Sequence, residues 1–249
     1  MSHLYESFNA RNYTPKQVSE TFIRNRDYDD LWRNEHTVVL GPRGSGKTTL
    51  FKMLTVQAIY SWKDQMAAGL RKERPFTAIY VPTDMHWHHQ LKHIQEHLKE
   101  APRFSAVASR AAVTTSILMA IVKTFLDRLY YEGLQNAENE ANICRGLIKE
   151  WLLPPTLPCL TLVVLALKAR ISEIRRTINQ IVFQHHTDAQ ITNIPNYFHL
   201  DYFATMDFAC SFWTVERSCS LFQFKDFSVA AAGGADFGCE EFLEGNAFG

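Results

Sequence analysis

A cluster of glycines followed by a lysine and two threonines carries the clearest chemical signal in the chain. Residues 41–49 read GPRGSGKTT and match the pattern G-x-x-x-x-G-K-[ST]. Glycine at positions 41, 44 and 46 permits positive φ angles and leaves space beside the main chain, so backbone N–H groups can turn inward and hold an anion. The run therefore predicts a loop that binds the phosphates of a nucleoside triphosphate.

Two side chains at the end of this run have chemical roles of their own. Lys47 is expected to place its charge on the β- and γ-phosphate oxygens, as the catalytic residue of the site, and the Thr48 hydroxyl is expected to ligate Mg²⁺. A helix that begins near Lys47 would add its N–H groups and its positive dipole end. The predicted nucleotide-binding residues are Gly41, Pro42, Arg43, Gly44, Ser45, Gly46, Lys47, Thr48 and Thr49.

The segments around the loop predict a β-α-β unit. Residues 36–40 (HTVVL) have the character of a buried strand, and a helical pattern follows from Lys47 to about Trp62. Residues 76–81 (FTAIYV) indicate a second buried strand, which ends at Pro82. Strand, helix and strand in this order form a parallel pair with a right-handed crossover. The predicted fold class is therefore α/β, a P-loop NTPase core with a parallel sheet, joined to a large helical segment.

Residues just before the loop predict two short helices. Thr14 and Gln17 have the spacing of a capping box, and a second helix is predicted to start at Asp27. In nucleotide-binding folds such a segment often lies near the base, so Phe22 and Ile23 are candidates for contact with adenine. Packing of these side chains in the core is the favoured interpretation.

Candidate metal ligands follow the second strand. Asp84 stands at the ligand-binding edge expected for such a sheet and would approach Mg²⁺ through water, although a loop or cap aspartate is commoner. His89, His93 and His97 recur every four residues on one helical stripe, flanked by glutamates, which would suit Zn²⁺. An ordinary surface helix has the same polar stripe opposite an apolar one, and this interpretation is favoured.

From residue 105 to about residue 189 the apolar periodicity is helical. The most regular stripe alternates steps of four and three, as in a coiled coil, and consists of Leu167, Ile171, Ile174, Ile178 and Ile181. Packing against neighbouring helices explains this stripe, and a DNA-facing helix is the alternative. The basic residues assigned outside the stripe are Lys168, Arg170, Arg175 and Arg176.

The last part of the chain differs in composition from what precedes it. Phenylalanines recur there without a helical period, residues 220–224 are a candidate strand, and no convincing element is expected past Val229. The predicted organisation is a helical lead-in over residues 1–35, a P-loop βαβ core over 36–84, a helical segment over 85–189 and a divergent aromatic-rich segment over 190–249.

Charge and cysteine content exclude some classes of protein. Lys and Arg together number 26, as do Asp and Glu, so no global field favours nucleic acid or an anionic membrane. Five cysteines without a C-x-x-C pair are typical of reduced thiols. The longest apolar run, residues 157–167, contains Pro158 and is shorter than the ~20 residues that a spanning helix needs. We expect a soluble, cytoplasmic protein without a membrane segment or signal peptide.

The phosphate loop, the helices before it and the opening FNARN at residues 8–12 resemble a bacterial branch of the AAA-type ATPases related to origin-recognition proteins. The likeness is close over residues 8–54 and looser to about residue 208. It implies ATP as the nucleotide, Mg²⁺ as the metal and ATP hydrolysis as the family activity. Several relatives are associated with defence against phages and other mobile DNA, which the resemblance extends to this chain as an expectation.

One part of the family pattern is missing from the sequence. A Walker B strand, four apolar residues followed by Asp-Glu, would hold Mg²⁺ through water and orient the attacking water, and no segment matches it. The carboxylates that come nearest are Asp201, Asp226, Asp236, Glu240 and Glu241. No sensor residue, arginine finger or helical lid is assigned either. The likeness ends near Cys210, which suggests that the chain is truncated or altered beyond about residue 210.

These observations leave three functions open. The first is an ATP·Mg²⁺-binding AAA-type ATPase, a regulatory or defence-system subunit with a protein partner or self-association. The second is a non-catalytic interaction module gated by the nucleotide. The third is a DNA-associated ATPase that uses Arg170, Arg175 and Arg176.

Overall fold

The computed structural model describes residues 10–33, 37–42, 44–74, 76–82, 92, 96, 98–133, 136–200 and 227–232. Short helices surround the phosphate loop and long helices follow the first strand. The helices are α1 (Pro15–Thr21), α2 (Arg26–Asp30), α3 (Lys47–Met53), α4 (Val56–Ser61), α5 (Gln65–Lys72), α6 (Pro102–Tyr131), α7 (Ala137–Glu150) and α8 (Leu160–Phe183). The strands are β1 (Thr77–Pro82) and β2 (Phe227–Ala232), and 3₁₀ helices span Asp188–Gln190 and Asn196–His199.

Local caps start the two N-terminal helices. The Thr14 hydroxyl accepts a hydrogen bond from the Gln17 N–H at 3.3 Å, and the Gln17 side chain accepts one from the Thr14 N–H at 2.8 Å, so the predicted capping box is confirmed. The second helix begins one residue earlier than predicted, because Asn25 is its N-cap and accepts from the Tyr28 N–H at 2.9 Å. Each cap satisfies a backbone donor that the first helical turn leaves unpaired.

An aromatic cluster forms the core beneath these helices. The Tyr28 ring is fully buried and lies edge-on to Phe22, Trp62 and Trp32, with ring centroids 5.0, 5.4 and 5.9 Å away. Trp32 stacks in turn on Phe76 at 5.1 Å, just before β1. Edge-to-face contacts of this kind add to the burial of apolar area. We call this set, with the apolar side chains of α3, α4 and α5 packed on it, the N-terminal core.

Strand β1 separates the N-terminal core from the helical part of the protein. Ala78 belongs to the N-terminal core, whereas Ile79 and Val81 pack among the side chains of α6, α7 and α8. Successive residues of a strand point to opposite faces, which explains the division. The strand thereby holds the phosphate-loop half and the helical half together.

The strand pairing differs from the prediction in two respects. β1 pairs in parallel with β2, from Thr77 opposite Phe227 to Pro82 opposite Ala232, so the expectation of no element past Val229 is wrong. Residues 37–40, predicted as the first strand of a β-α-β unit, have no strand structure, and Val38 and Leu40 are 80% and 87% exposed. A strand needs a hydrogen-bonded neighbour in a sheet, and the sheet among the described residues consists of β1 and β2 without this apolar run. The described residues therefore do not establish the predicted sheet, in which residues 36–40 pair in parallel with the strand that follows the helix.

The helical part of the protein is built on two long helices. α6 has 30 residues and α8 has 24, and they pack along each other with α7 alongside. The apolar stripe predicted for α8 is buried at four of its five positions, Leu167, Ile174, Ile178 and Ile181. Trp151 follows α7 and is fully buried, before the Pro154-Pro155 pair that prevents the helix from continuing. Packing of neighbouring helices thus accounts for the stripe.

Helix α6 also has the length and composition of a membrane-crossing helix. Its most apolar window has a mean hydropathy of 1.6, and 56% of that window is buried inside the protein. Core helices of soluble proteins have the same features, and the buried face of α6 contacts α8 and β1. Among the described residues this helix alone has these features, and it gives no clear membrane signal.

Buried charges join the start of β1 to the end of α6. Glu132 forms ion pairs with Arg74 and Arg128, and all three side chains are at most 12% exposed. The Arg128 guanidinium also donates to the Thr77 hydroxyl at 3.2 Å. Burial lowers the pKa of Arg128, and the hydrogen bonds to Glu132 oppose this. The network fixes how α6 meets the strand.

Both long helices are capped by carboxylates from distant parts of the chain. Neither Ala101 nor Cys159, the N-cap residues of α6 and α8, makes a side-chain cap. Instead the Asp188 carboxylate accepts from the Arg103 and Phe104 N–H groups at 3.1 and 3.0 Å. Glu140 accepts from the Leu160 N–H at 2.7 Å. The negative charge also complements the helix dipole.

Replacement of Asp188 by alanine should destabilise the helical part of the protein. The change removes two charge-assisted hydrogen bonds at the start of α6, and loss of an N-cap typically costs about 1 kcal/mol. Urea unfolding followed by circular dichroism measures the difference, with Glu20→Ala as the control because Glu20 is an exposed carboxylate of α1. Equal stability of Asp188→Ala and wild type would show that the cap contributes nothing.

Replacement of Asp127 by asparagine should stabilise the protein at pH 7 but not at pH 4. Burial raises the pKa of the Asp127 carboxyl to about 6, and Lys123 only partly offsets this. The folded state therefore holds this proton above the unfolded pKa of about 3.9, and wild type loses stability as the pH rises through 6.

The asparagine side chain does not ionise, so the variant does not lose stability as the pH rises. We expect a gain of about 1 kcal/mol at pH 7, because each pKa unit corresponds to about 1.4 kcal/mol and partial solvent access reduces the effect. Urea midpoints of both proteins at pH 4, 5.5 and 7 measure it. A stability difference that stays constant across this range would contradict the assignment.

Candidate nucleotide-binding site

The loop predicted from the glycine pattern has the backbone conformation that glycine permits. Gly44 and Gly46 have φ angles of +88° and +85°, values that L side chains rarely adopt. Between them and Pro42 the chain turns, since the Ser45 N–H donates to the Pro42 carbonyl at 3.2 Å. Arg43 lies outside the described residues. The positive φ angles expected at Gly44 and Gly46 are therefore observed, whereas Gly41 does not have one.

Helix α3 starts directly after this turn. Its first residue is Lys47, its N-cap is Gly46, and no side chain caps it. The helix makes its first backbone hydrogen bond from the Leu50 N–H to the Gly46 carbonyl at 3.0 Å. An N-terminus without a side-chain cap presents its donors and its positive dipole end to the exposed loop.

The Lys47 side chain folds back into the loop. Its Nζ donates to the Pro42 carbonyl at 2.9 Å, to the Ser45 hydroxyl at 3.3 Å and to the Gly41 carbonyl. An ammonium group has three donors, and here the loop supplies an acceptor for each of them. The positive charge therefore already lies inside the loop, where phosphate oxygens are stronger acceptors than neutral carbonyls.

The loop closes tightly on Gly41. A Cβ atom at this position would lie 2.7 Å from the Ser45 Oγ and 3.2 Å from the Ser45 Cβ. Any larger residue would therefore push Ser45 away from the Lys47 ammonium. Glycine is favoured at position 41 by the close approach of Ser45, and at positions 44 and 46 by the positive φ angles.

A second lysine of α3, Lys52, makes contacts that the sequence patterns did not predict. Lys52 is only 7% exposed, and its Nζ lies within hydrogen-bond distance of carbonyl oxygens in the turn that precedes α1. The signal available in the sequence was its position in an apolar run, between Phe51 and Met53, and residues 52–56 are all buried. A charged residue inside such a run needs a specific partner.

Other candidates from the sequence have different outcomes. Phe22 packs edge-on against Tyr28 and Trp62 at 5.0 and 5.4 Å, which confirms the core-packing interpretation, whereas Ile23 is 84% exposed. Residues outside the described part of the chain are Asp84, His89, His93, His97, Asp201, Asp226, Asp236, Glu240 and Glu241. In the described residues no group of three His, Cys, Asp or Glu side chains is arranged to hold a metal.

The assignment of Arg170 to a solvent-facing position is wrong. Its side chain is 4% exposed, donates to the Trp151 and Leu152 carbonyls at 2.7 and 2.6 Å, and lies 4.8 Å from the Tyr197 ring centroid. Burial lowers the pKa of Arg170 to about 10. It is part of the packed face of α8, so only Arg175 and Arg176 of the predicted DNA-facing arginines are exposed.

Comparison with known proteins supports the resemblance drawn from the phosphate loop. A model of the ORC-CDC6-like family matches residues 3–215 of the 249. No curated protein and no solved structure gives a significant match to the chain. The matched residues include the phosphate loop, the helices before it and the long helices after β1. The chain therefore belongs to the ORC-CDC6-like family, which is related to the AAA-type ATPases.

Proposed function

We propose that this protein binds ATP·Mg²⁺ through residues 41–49. The observation that carries the proposal is the loop itself, in which Gly44 and Gly46 turn with positive φ into the uncapped start of α3, around the Lys47 ammonium. Donors, dipole and cation converge on one exposed place. The ligand that fits such an arrangement is a chain of phosphates.

Lys47 has a defined role when phosphate binds. Its contacts to Gly41, Pro42 and Ser45 hold the ammonium in place without a ligand. Exchange of these neutral acceptors for anionic phosphate oxygens gains charge-assisted hydrogen bonds and costs little movement. Thr48, the next residue of α3, would supply the hydroxyl for Mg²⁺.

Whether bound ATP is hydrolysed depends on a carboxylate that positions water. The family relationship favours an ATPase, and the absence of a Walker B pattern in the sequence favours a nucleotide-gated interaction module. Both versions need the same phosphate loop and differ only in turnover. We further propose that the protein acts in the cytoplasm, with a protein partner or a second copy, in a regulatory or defence system, as the sequence resemblance suggests.

Replacement of Lys47 by alanine should strongly weaken ATP binding. Removal of a cation that contacts the loop backbone should weaken the affinity at least tenfold, about 1.4 kcal/mol. Isothermal titration of wild type, Lys47→Ala and the exposed-lysine control Lys63→Ala with ATP·Mg²⁺ measures this. Unchanged affinity of Lys47→Ala would overturn the proposal.

Turnover of the same proteins separates the two versions. Phosphate release by wild type that is lost in Lys47→Ala would support the ATPase. Tight binding by wild type with no phosphate release would support the nucleotide-gated module.

Replacement of Gly41 by alanine should weaken ATP binding with little effect on the fold. The added Cβ would displace Ser45, which contacts Lys47, and we expect a several-fold loss of affinity, on the order of 1 kcal/mol. Gly69→Ala is the matched control, because Gly69 lies within α5 with nothing within 4 Å of the added Cβ.

The control variant should keep wild-type affinity and gain about 0.5–1 kcal/mol of stability from helix propensity. Equal affinities of Gly41→Ala and Gly69→Ala would show that the tight approach at Gly41 has no part in binding.

A further inference from the structure

Lys52 connects the phosphate-loop helix to the N-terminal segment of the chain. Its Nζ lies 2.7 Å from the Tyr13 carbonyl oxygen, 2.8 Å from that of Ala10 and 3.3 Å from that of Arg11. These oxygens belong to the turn that leads into α1. The three donors of the ammonium thus meet three acceptors, all from residues 10–13.

This charge is buried without a carboxylate partner in the described contacts. Besides the carbonyl dipoles, the Lys52 ammonium faces the Tyr80 ring of β1, with 5.7 Å between Nζ and the ring centroid. Burial lowers the pKa of Lys52, which shows that the site costs the charged form some of its hydration. A methionine would fill such a position without that cost. The lysine is therefore better explained by specific docking of residues 10–13 than by stability alone.

Helix α3 carries Lys47 at one end and Lys52 near the other. The two residues are five positions apart, roughly 7.5 Å along the helix axis, within one seven-residue helix. A second contact holds the same end as Lys52, since the Tyr28 hydroxyl of α2 donates to the Met53 carbonyl at 3.1 Å. The C-terminal end of α3 is thus held by residues 10–33, while its N-terminal end forms the phosphate loop.

We propose that Lys52 is a positioning residue that couples occupation of the phosphate loop to docking of residues 10–13. A ligand that fixes the N-terminal end of α3 also fixes the orientation of Lys52. Docking of the segment, in turn, holds the loop in its binding conformation. Such coupling is reciprocal, so each event strengthens the other by the same factor. The inference rests on the proposed binding of ATP to this loop.

Hydrogen exchange read by mass spectrometry tests the coupling on the full chain. Wild type, Lys52→Met and the control Lys63→Met are compared with and without saturating ATP·Mg²⁺. Methionine keeps the length of the side chain and removes its donors, and Lys63 is an exposed lysine between α4 and α5. ATP affinities of the three proteins are measured by isothermal titration beside the exchange experiment.

In wild type and Lys63→Met, ATP should slow exchange both at residues 44–50 and at residues 10–13. In Lys52→Met, ATP should bind roughly fivefold or more weakly and slow exchange at residues 44–50 only. A merely structural lysine would lower the melting temperature with and without ATP and leave the nucleotide-dependent protection of residues 10–13 in place.

Two results would overturn the inference while leaving the proposed function intact. One is ATP binding to wild type without any change at residues 10–13, and the other is equal ATP-dependent protection of that segment in Lys52→Met and wild type. Failure of wild type to bind ATP would overturn the proposed function and this inference together. If Lys52→Met does not fold, Lys52→Gln, which is shorter and uncharged, takes its place, and ATP binding to wild type without any change at residues 10–13 would still overturn the inference.

Discussion

The helix that carries the phosphate loop is held in place by burial rather than by its own hydrogen bonds. α3 has seven residues, and isolated helices shorter than about 12 residues are marginal in water. Met53 is fully buried, and Leu50 and Leu54 are 7% and 4% exposed, all in the N-terminal core. The position of the loop is therefore set by the aromatic packing beneath it. A substitution that loosens the packing of the N-terminal core should also change the position of the loop.

The connection between the two halves of the protein rests on one strand and one ionic network. β1 places side chains in both cores, and Glu132 binds Arg74 and Arg128 where β1 begins and α6 ends. Two guanidinium groups and one carboxylate are largely removed from water here, which is costly. Such a network fixes a single arrangement of its elements more effectively than it adds stability, because each partner must be present for the others to be tolerated.

Sequence patterns predicted the features that depend on neighbouring residues. The capping box of Thr14 and Gln17 is closed within one helical turn, and the glycines of the phosphate loop are needed for their own backbone angles. Local sequence patterns did not predict the caps and strand pairs that are formed by residues far apart in the chain. Asp188 caps α6 by accepting from the Arg103 N–H, which lies 85 residues earlier in the chain.

The same limit explains the wrong assignments. Residues 37–40 have a strand composition, but a strand forms only as part of a paired sheet, and the described sheet consists of β1 and β2. Arg170 was assigned to solvent because of its charge, although its spacing from Leu167 and Ile174 places it on the buried stripe of α8. Lys52 is likewise a charged residue at a buried helical position. A charged residue at a buried helical position is better interpreted as a contact to be found than as a solvated surface.

The segments on the two sides of the phosphate loop differ in how firmly the rest of the protein holds them. This difference should affect the affinity of the loop for a ligand. On the helix side, Lys52, Tyr28 and the burial of Met53 hold α3 firmly. On the other side, Val39 is partly buried against the N-terminal core, while Val38 and Leu40 beside it are exposed. A ligand that needs both sides in register must order the less supported one, and the free energy of that ordering is subtracted from the affinity. If the loop binds ATP as proposed, we expect its affinity to depend on what fixes residues 37–40 as well as on the residues of the loop.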